Sequence, residues 1–177
     1  IKFKPHDRWQ INLDIKWTDY AAWDEFELEF DRQLDVLTIA SLFSPENATS
    51  NSIILDRGYE SVWSWAVGVE YQVNDRLSLR MGYEPRPSAI PGNKADALAP
   101  LGDAHLYGLG AGYQWDKDTV IDIGFNYLVS KQDIPARSSC NINCSDIDSM
   151  VYNPYADLDV KTSVKAYVLA LTYRTTF

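Results

Sequence analysis

Hydrophobic and polar residues alternate along most of this chain. From Trp9 to Trp17 the odd positions are Trp9, Ile11, Leu13, Ile15 and Trp17, and the even ones are Gln10, Asn12, Asp14 and Lys16. A period of two with one wholly apolar side predicts a strand. The alternation resumes as Phe26, Leu28 and Phe30 against Glu25, Glu27 and Glu29, but its phase has slipped by one. One long strand bent by a bulge between Tyr20 and Asp24 is the preferred reading; two strands around a tight turn is the other. Five more runs follow, over 59–73, 76–84, 105–115, 119–130 and 161–177. Each carries aliphatic and aromatic side chains at odd positions and small, polar or charged ones opposite. The pattern predicts an all-β, antiparallel protein of about six strands, with a stub at 1–4.

The connections alternate in length. Val73-Asn-Asp-Arg76 and Trp115-Asp-Lys-Asp-Thr119 read as tight turns, whereas 31–58, 85–103 and 131–160 are long and rich in Pro, Asn, Asp and Ser. Short turns on one rim and long loops on the other is the layout of a transmembrane β-barrel. The aromatic residues point the same way. With the tight turns at the bottom, Trp9, Tyr71, Tyr113, Trp115, Tyr173 and Phe177 fall low on the apolar face. Trp17, Trp63, Tyr83, Tyr107, Tyr127 and Tyr167 fall near its top. Two aromatic girdles around an aliphatic band roughly 25 Å tall suit rings at headgroup depth. A mere preference of aromatic residues for strands would give no shared height.

Composition alone would mislead. The mean hydropathy of −0.28 suggests a soluble protein, and no run reaches the ~18–20 apolar residues of a membrane helix. A barrel strand, however, hides its apolar residues at every second position. The net charge of −9 argues against a nucleic-acid partner. The length of 177 residues fits one domain. The chain opens on Ile1-Lys-Phe-Lys4 without a Met and stops on Phe177 after a strand-like run. Residues 1–177 are therefore expected to be the C-terminal portion of one longer barrel domain, with its N-terminal part missing. Cys140 and Cys144 share a polar loop far from His6 and His105. A local disulfide in an exported protein is expected, with free thiols as the alternative and no metal site.

The charges that the alternation places inside are Lys16, Glu60, Glu70, Arg76, Arg80, Glu84, Asp122 and Arg174. On the lipid side the basic ones would cost about 2–4 kcal/mol each at mid-membrane; in a lumen they can pair with one another or with a plug. Gly108-x-Gly-x-Gly112 lacks dinucleotide spacing and lies within a strand, so it reads as a smooth lumen face that a plug or ligand passes closely. His105 has no accompanying nucleophile and reads as a rim residue. Asp146, Asp148, Asp157 and Asp159 are calcium candidates, more simply a solvated acidic loop. In loop 31–58, Leu34, Leu37, Ile39, Leu42 and Phe43 have the spacing of a short amphipathic helix. Leu37, Leu42, Phe43 and Leu55, with Arg57 as a nearby cation, form an apolar capture groove for a hydrophobic ligand; packing of the loop onto the barrel is the plainer role.

The chain resembles the C-terminal part of the FadL/TodX family of outer-membrane transporters of hydrophobic compounds. The resemblance is carried by Pro5-His-Asp-Arg-Trp9, Trp17-Thr-Asp-Tyr-Ala-Ala-Trp23, Gly58-Tyr59, Asn74-Asp-Arg-Leu-Ser-Leu-Arg-Met-Gly-Tyr83, Asp103-Ala-His-Leu-Tyr-Gly-Leu-Gly-Ala-Gly-Tyr113 and Thr119-Val-Ile-Asp-Ile-Gly-Phe-Asn-Tyr127. It departs from the family's Asp-x-Arg pattern at Asp103-Ala104-His105. The resemblance implies an even-numbered barrel of about 14 strands, plugged by an N-terminal hatch, of which this chain supplies the last six or so. It implies passive transport of long-chain fatty acids or aromatic hydrocarbons across a Gram-negative outer membrane. No enzyme chemistry and no cofactor go with it. The implied partners are the hydrophobic ligand, membrane lipid and lipopolysaccharide, and the missing part of the barrel. A structural or adhesive barrel whose loops bind a macromolecule is the alternative.

The run Tyr167-x-Leu-x-Leu-x-Tyr-x-Thr-x-Phe177 ends on an aromatic residue, like the signal read by barrel-assembly machinery. Deleting Phe177 from the full-length protein is expected to lower its amount in the outer membrane. Unchanged amounts with normal heat-modifiable mobility would refute this.

Overall fold

The computed structural model describes residues 1–23, 25–43, 45, 47–56, 58–95, 102–139, 141–143 and 155–176. Seven strands form one antiparallel sheet in chain order. They are β1 (Lys2–His6), β2 (Trp9–Thr18), β5 (Val62–Gln72), β6 (Leu77–Arg86), β7 (Ala104–Gln114), β8 (Thr119–Ile134) and β9 (Val160–Thr175). Between β2 and β5 the chain leaves this sheet and builds β3 (Glu25–Glu29), helix α1 (Asp35–Phe43) and β4 (Ser52–Asp56). β3 and β4 pair with each other as a separate small sheet.

The stub at the start is thus a full strand, paired with β2 through a turn at Asp7-Arg8. The single bent strand expected over 9–30 is not formed. β2 stops at Thr18, Trp23 N–H closes a turn onto the Tyr20 carbonyl at 2.9 Å, and β3 takes β4 as its partner. The phase slip therefore marks a change of sheet rather than a bulge. Loop 31–58 is likewise not irregular throughout, since it holds α1 and β4.

Register keeps odd with odd across the whole wall. Leu13 pairs with Val67, Val67 with Tyr83, Tyr83 with Tyr107, Tyr107 with Tyr127 and Tyr127 with Tyr167. A slip of one residue in any ladder would turn a strand's apolar set to the polar side. Two of the turns that set this register share their chemistry. Asn74 Oδ1 accepts from the N–H groups of Arg76 and Leu77, both at 2.9 Å, and Gln72 Nε2 donates to the Asn74 carbonyl at 2.6 Å. In the β7–β8 turn, Asp116 Oδ1 accepts from Asp118 N–H at 2.9 Å and Gln114 Nε2 donates to the Asp116 carbonyl at 2.6 Å. The Asp118 N–H holds the Asp116 carboxyl below the usual carboxylate range. Short polar side chains that bond to the backbone two residues on are the physical basis of such turns.

Among the described residues the sheet covers no hydrophobic core. Leu109, Leu169 and Leu171 are 60%, 72% and 73% exposed, on the face that a water-soluble fold would have to bury. The fully buried side chains among the described residues include Ile134, Asn143, Ser130 and Ser139, at the long-loop rim. Aromatic rings mark the apolar face at two heights. Trp65, Tyr83, Tyr107, Tyr127 and Tyr167 form a continuous upper ladder, with successive centroids 5.7, 5.2, 6.3 and 5.0 Å apart. Trp9 packs on Tyr71 at 4.6 Å near the other rim. Trp65, two residues below the expected Trp63, is the tryptophan in contact with this upper ladder.

Arginine at Leu169 in the complete protein is expected to cost about 2–4 kcal/mol of folding stability in lipid vesicles. Arginine at Thr172, on the opposite face of the same strand, is expected to cost well under half as much. Urea titration of both variants checks it; equal costs would refute the facing.

Candidate functional site

The polar face is organised around Arg80. Hairpin β5–β6 places Arg80 opposite Glu70, and Arg80 Nε donates to Glu70 Oε2 at 2.6 Å. Its Nη1 donates to Asp122 Oδ1 at 2.5 Å. Asp122 lies on β8, so the guanidinium reaches across β7. The glycines of β7 make that reach possible. A Cβ at Gly112 would sit 2.6 Å from Asp122 Oδ1, 2.9 Å from Ser78 Oγ and 3.1 Å from Arg80 Nη2. The sequence suggests a plug or ligand passing closely over these glycines; over Gly112 the close neighbours are side chains of the same wall. The three charged groups are a quarter to a half exposed, so each pair stabilises by about 1 kcal/mol or less.

Of the other charges expected inward, some share this face and some do not. Lys16 stands opposite Ser64 and Arg174 opposite Val120, both on the polar side of the sheet. Glu60 precedes β5 and Arg76 precedes β6, so neither belongs to the sheet face. Glu84 lies on β6 and accepts from Arg86.

At the long-loop rim the wall opens. The β5–β6 ladder ends at Val67–Tyr83, although β6 continues to pair with β7 as far as Arg86–Ala104. Pro85 and Pro87 flank Arg86 and have no N–H to offer β5. Above the gap the two sides rejoin, where Glu60 N–H donates to the Ala89 carbonyl at 2.7 Å. A cavity of about 240 Å³ occupies the gap, between Trp63 and Trp65 on one side and Pro85, Arg86 and His105 on the other. It adjoins a second cavity of about 290 Å³, lined by Tyr20, Trp23, Tyr59, Ile90, Leu128 and Arg86. His105 is a rim residue as expected, stacked on Tyr83 and bonded to its hydroxyl at 2.8 Å.

Loop contacts hold this rim together. Trp23 stacks on Tyr59 with centroids 5.9 Å apart, and Ser61 Oγ donates to Asp19 Oδ1 at 2.6 Å, closing the neck of the β3–α1–β4 segment. Ser139 Oγ donates to the Ala95 carbonyl, and Asn143 Nδ2 to the carbonyls of Pro135 and Leu158, both at 2.8 Å. Ser130 Oγ donates to the Gly102 carbonyl at 3.0 Å. A Cβ on Gly102 would run into the Lys131 carbonyl, so only glycine allows this approach.

The expected helix exists as α1. It buries Leu37 and leaves Val36, Ile39, Leu42 and Phe43 58–77% exposed. Leu37 is thus buried, while Leu42 and Phe43 are exposed. Leu55 lies in β4. Arg57, Cys140, Cys144, Asp146, Asp148 and Phe177 lie outside the described residues. Asp157 pairs with Arg137 at 2.7 Å, and Asp159 accepts from Ala136 N–H. Among the described residues no group of three potential metal ligands exists. The aromatic trio Tyr20, Trp23 and Tyr59 was not predicted as a site, because the sequence reading assigned its members to strands, whereas all three lie outside β2, β3 and β5.

An antiparallel wall with an uncovered apolar face, aromatic bands and a charged opposite face defines a transmembrane β-barrel of the outer-membrane type. The chain belongs to the outer membrane protein transport protein family (OMPP1/FadL/TodX), whose family model matches residues 1–177. It is an outer-membrane protein. Its fold is similar to the crystal structure of a Pseudomonas aeruginosa FadL homologue, with a TM-score of 0.67 and 20% sequence identity over 98% of this chain. The chain spans 34% of that structure's length, and so forms part of a barrel wall. No curated protein matches it.

Valine at Gly112 is expected to part Arg80 from Asp122 and destabilise the barrel by about 1–3 kcal/mol, the usual range for overpacking. In an Asp122→Ala background the same substitution is expected to cost clearly less. Equal costs in a double-mutant cycle would show that the glycine does not serve this ion pair.

Proposed function

We propose that this chain contributes wall and external loops to a barrel that passes hydrophobic small molecules, such as long-chain fatty acids or aromatic hydrocarbons, passively across the outer membrane. The observation that carries the reading is α1, whose Val36, Ile39, Leu42 and Phe43 stand exposed on a loop at the rim away from the tight turns. An apolar helix face in water costs free energy unless something apolar meets it. In this reading α1 meets the ligand and Leu37 only anchors the helix. The polar face, with Lys16, Glu70, Arg80, Asp122 and Arg174, looks into the lumen. The apolar face meets membrane lipid and, in the outer leaflet, lipopolysaccharide. The protein performs no covalent chemistry and needs no cofactor.

Serine at both Leu42 and Phe43 in the full-length protein is expected to reduce uptake of a labelled long-chain fatty acid or aromatic hydrocarbon several-fold at equal surface amount. The barrel should keep its heat-modifiable mobility. Full uptake by that variant would instead favour a loop that binds a macromolecular partner.

A further inference from the structure

We propose that three lysines on the outward face of the β8–β9 hairpin, Lys131, Lys161 and Lys165, form a binding site for the phosphorylated head of an outer-leaflet lipopolysaccharide. The inference deepens the reading in which the apolar face meets lipopolysaccharide, and it does not depend on what the barrel passes.

Strands β8 and β9 have 16 residues each, against 10 or 11 for β2, β5, β6 and β7. Their extra length runs beyond the upper aromatic band. Tyr127 pairs with Tyr167 in that band, and the ladder continues through Val129–Lys165, Lys131–Ser163 and Asp133–Lys161. The alternation of faces persists there. Lys131, Asp133, Lys161, Ser163 and Lys165 are exposed, whereas Ser130 and Ile134 on β8 are only 1% and 2% exposed. Residues two apart on a strand share a face. The three lysines therefore stand on the side of Tyr167 and Leu169, which meets lipid, and not on the side of the lumen.

Their height suits a headgroup. Two strand residues advance about 7 Å, and barrel strands tilt by roughly 35–45°. Lys165 thus stands about 5 Å above the Tyr127–Tyr167 pair, and Lys131 and Lys161 continue the column for about another 10 Å. Lysine stems are long enough to bring their ammonium groups towards a phosphate from either side of its depth. A phospholipid presents one phosphate at one depth. A lipopolysaccharide head carries several, on its lipid anchor and on the sugars above, which a column of cations can meet together.

Charge points to an outside partner. The chain has 25 acidic residues against 16 basic ones, and Arg80, Arg86, Lys117 and Arg137 are each ion-paired within it. Among the described residues, Lys131, Lys161 and Lys165 have no ion-pair partner. Asp133 is the one acid in the column, opposite Lys161. Three unpaired cations beside one acid leave the patch positive on an acidic protein, where anionic lipid is attracted by each added lysine.

The full-length protein in a neutral detergent is to be titrated with rough lipopolysaccharide, with the same material stripped of its phosphates, and with phosphatidylglycerol, counting bound lipid by native mass spectrometry. Wild type is expected to bind intact lipopolysaccharide at least about tenfold more tightly than either comparison lipid. Glutamine at Lys131, Lys161 and Lys165 together should weaken that binding at least about tenfold, with heat-modifiable mobility unaltered. Arginine at the same three positions should retain it, because the charge is kept. Lys117→Gln, at the opposite rim, should leave it unchanged. Phosphatidylglycerol or the stripped lipid binding as tightly as intact lipopolysaccharide overturns the proposal, and this comparison needs no variant to fold. Wild-type binding by the triple glutamine variant overturns it as well. Either result leaves the transport reading intact, since that is read by uptake.

Discussion

Lipid offers backbone N–H and C=O groups no hydrogen-bond partners, and this constraint governs the rest of the molecule. Strands can enter hydrocarbon only if every ladder is complete, which requires antiparallel neighbours in sequence order and tight turns at one rim. The sheet obeys this from β1 to β9. Among the described residues the β1–β2 register shifts between Phe3 and His6, near the turn, and the gap between β5 and β6 lies above the Val67–Tyr83 pair, at the aromatic upper band. Polar groups can be hydrated near that depth, so a gap bounded by prolines is tolerated there and would be costly lower down.

The same constraint decides where charge goes. A lipid-facing wall must push its ionisable groups to the other side, where they are partly wet and can meet. Glu70, Arg80 and Asp122 do so, and their arrangement depends on β7 having no side chains in the way. Glycine usually weakens a strand. Here the lost propensity is offset by an ion-paired belt that links β5, β6 and β8. Stability in this wall therefore comes from ladders and cross-strand pairs rather than from a buried core.

The long-loop rim is where the fold stops being periodic and can become specific. Its few buried residues, its side-chain bonds to backbone carbonyls and its two adjoining cavities are all concentrated there. Loops carried on a rigid wall are the usual place for recognition. The α1 segment stands on a neck closed by the Trp23–Tyr59 stack, so the aromatic pair that lines the inner cavity also ties this segment to the wall.

The wall was legible in the amino-acid sequence because each of its rules is local. Period two assigns faces, and a tight turn at 73–76 puts Glu70 opposite Arg80 without reference to anything else. The amphipathic spacing of residues 34–43 likewise announced α1. Three features needed the tertiary structure. The phase slip before Phe26 looks the same for a bulge and for a strand that joins another sheet, and only the pairing of β3 with β4 decides between them. The link from Arg80 to Asp122 spans a strand, so it depends on the positions of three strands at once. The cavity formed by Tyr20, Trp23, Tyr59, Ile90 and Leu128 joins residues far apart in the chain, whose meeting no local pattern sets. Sequence thus determined what each strand residue faces, since alternation is a property of neighbours, whereas the tertiary structure decided what the loops enclose, since that depends on where distant segments meet.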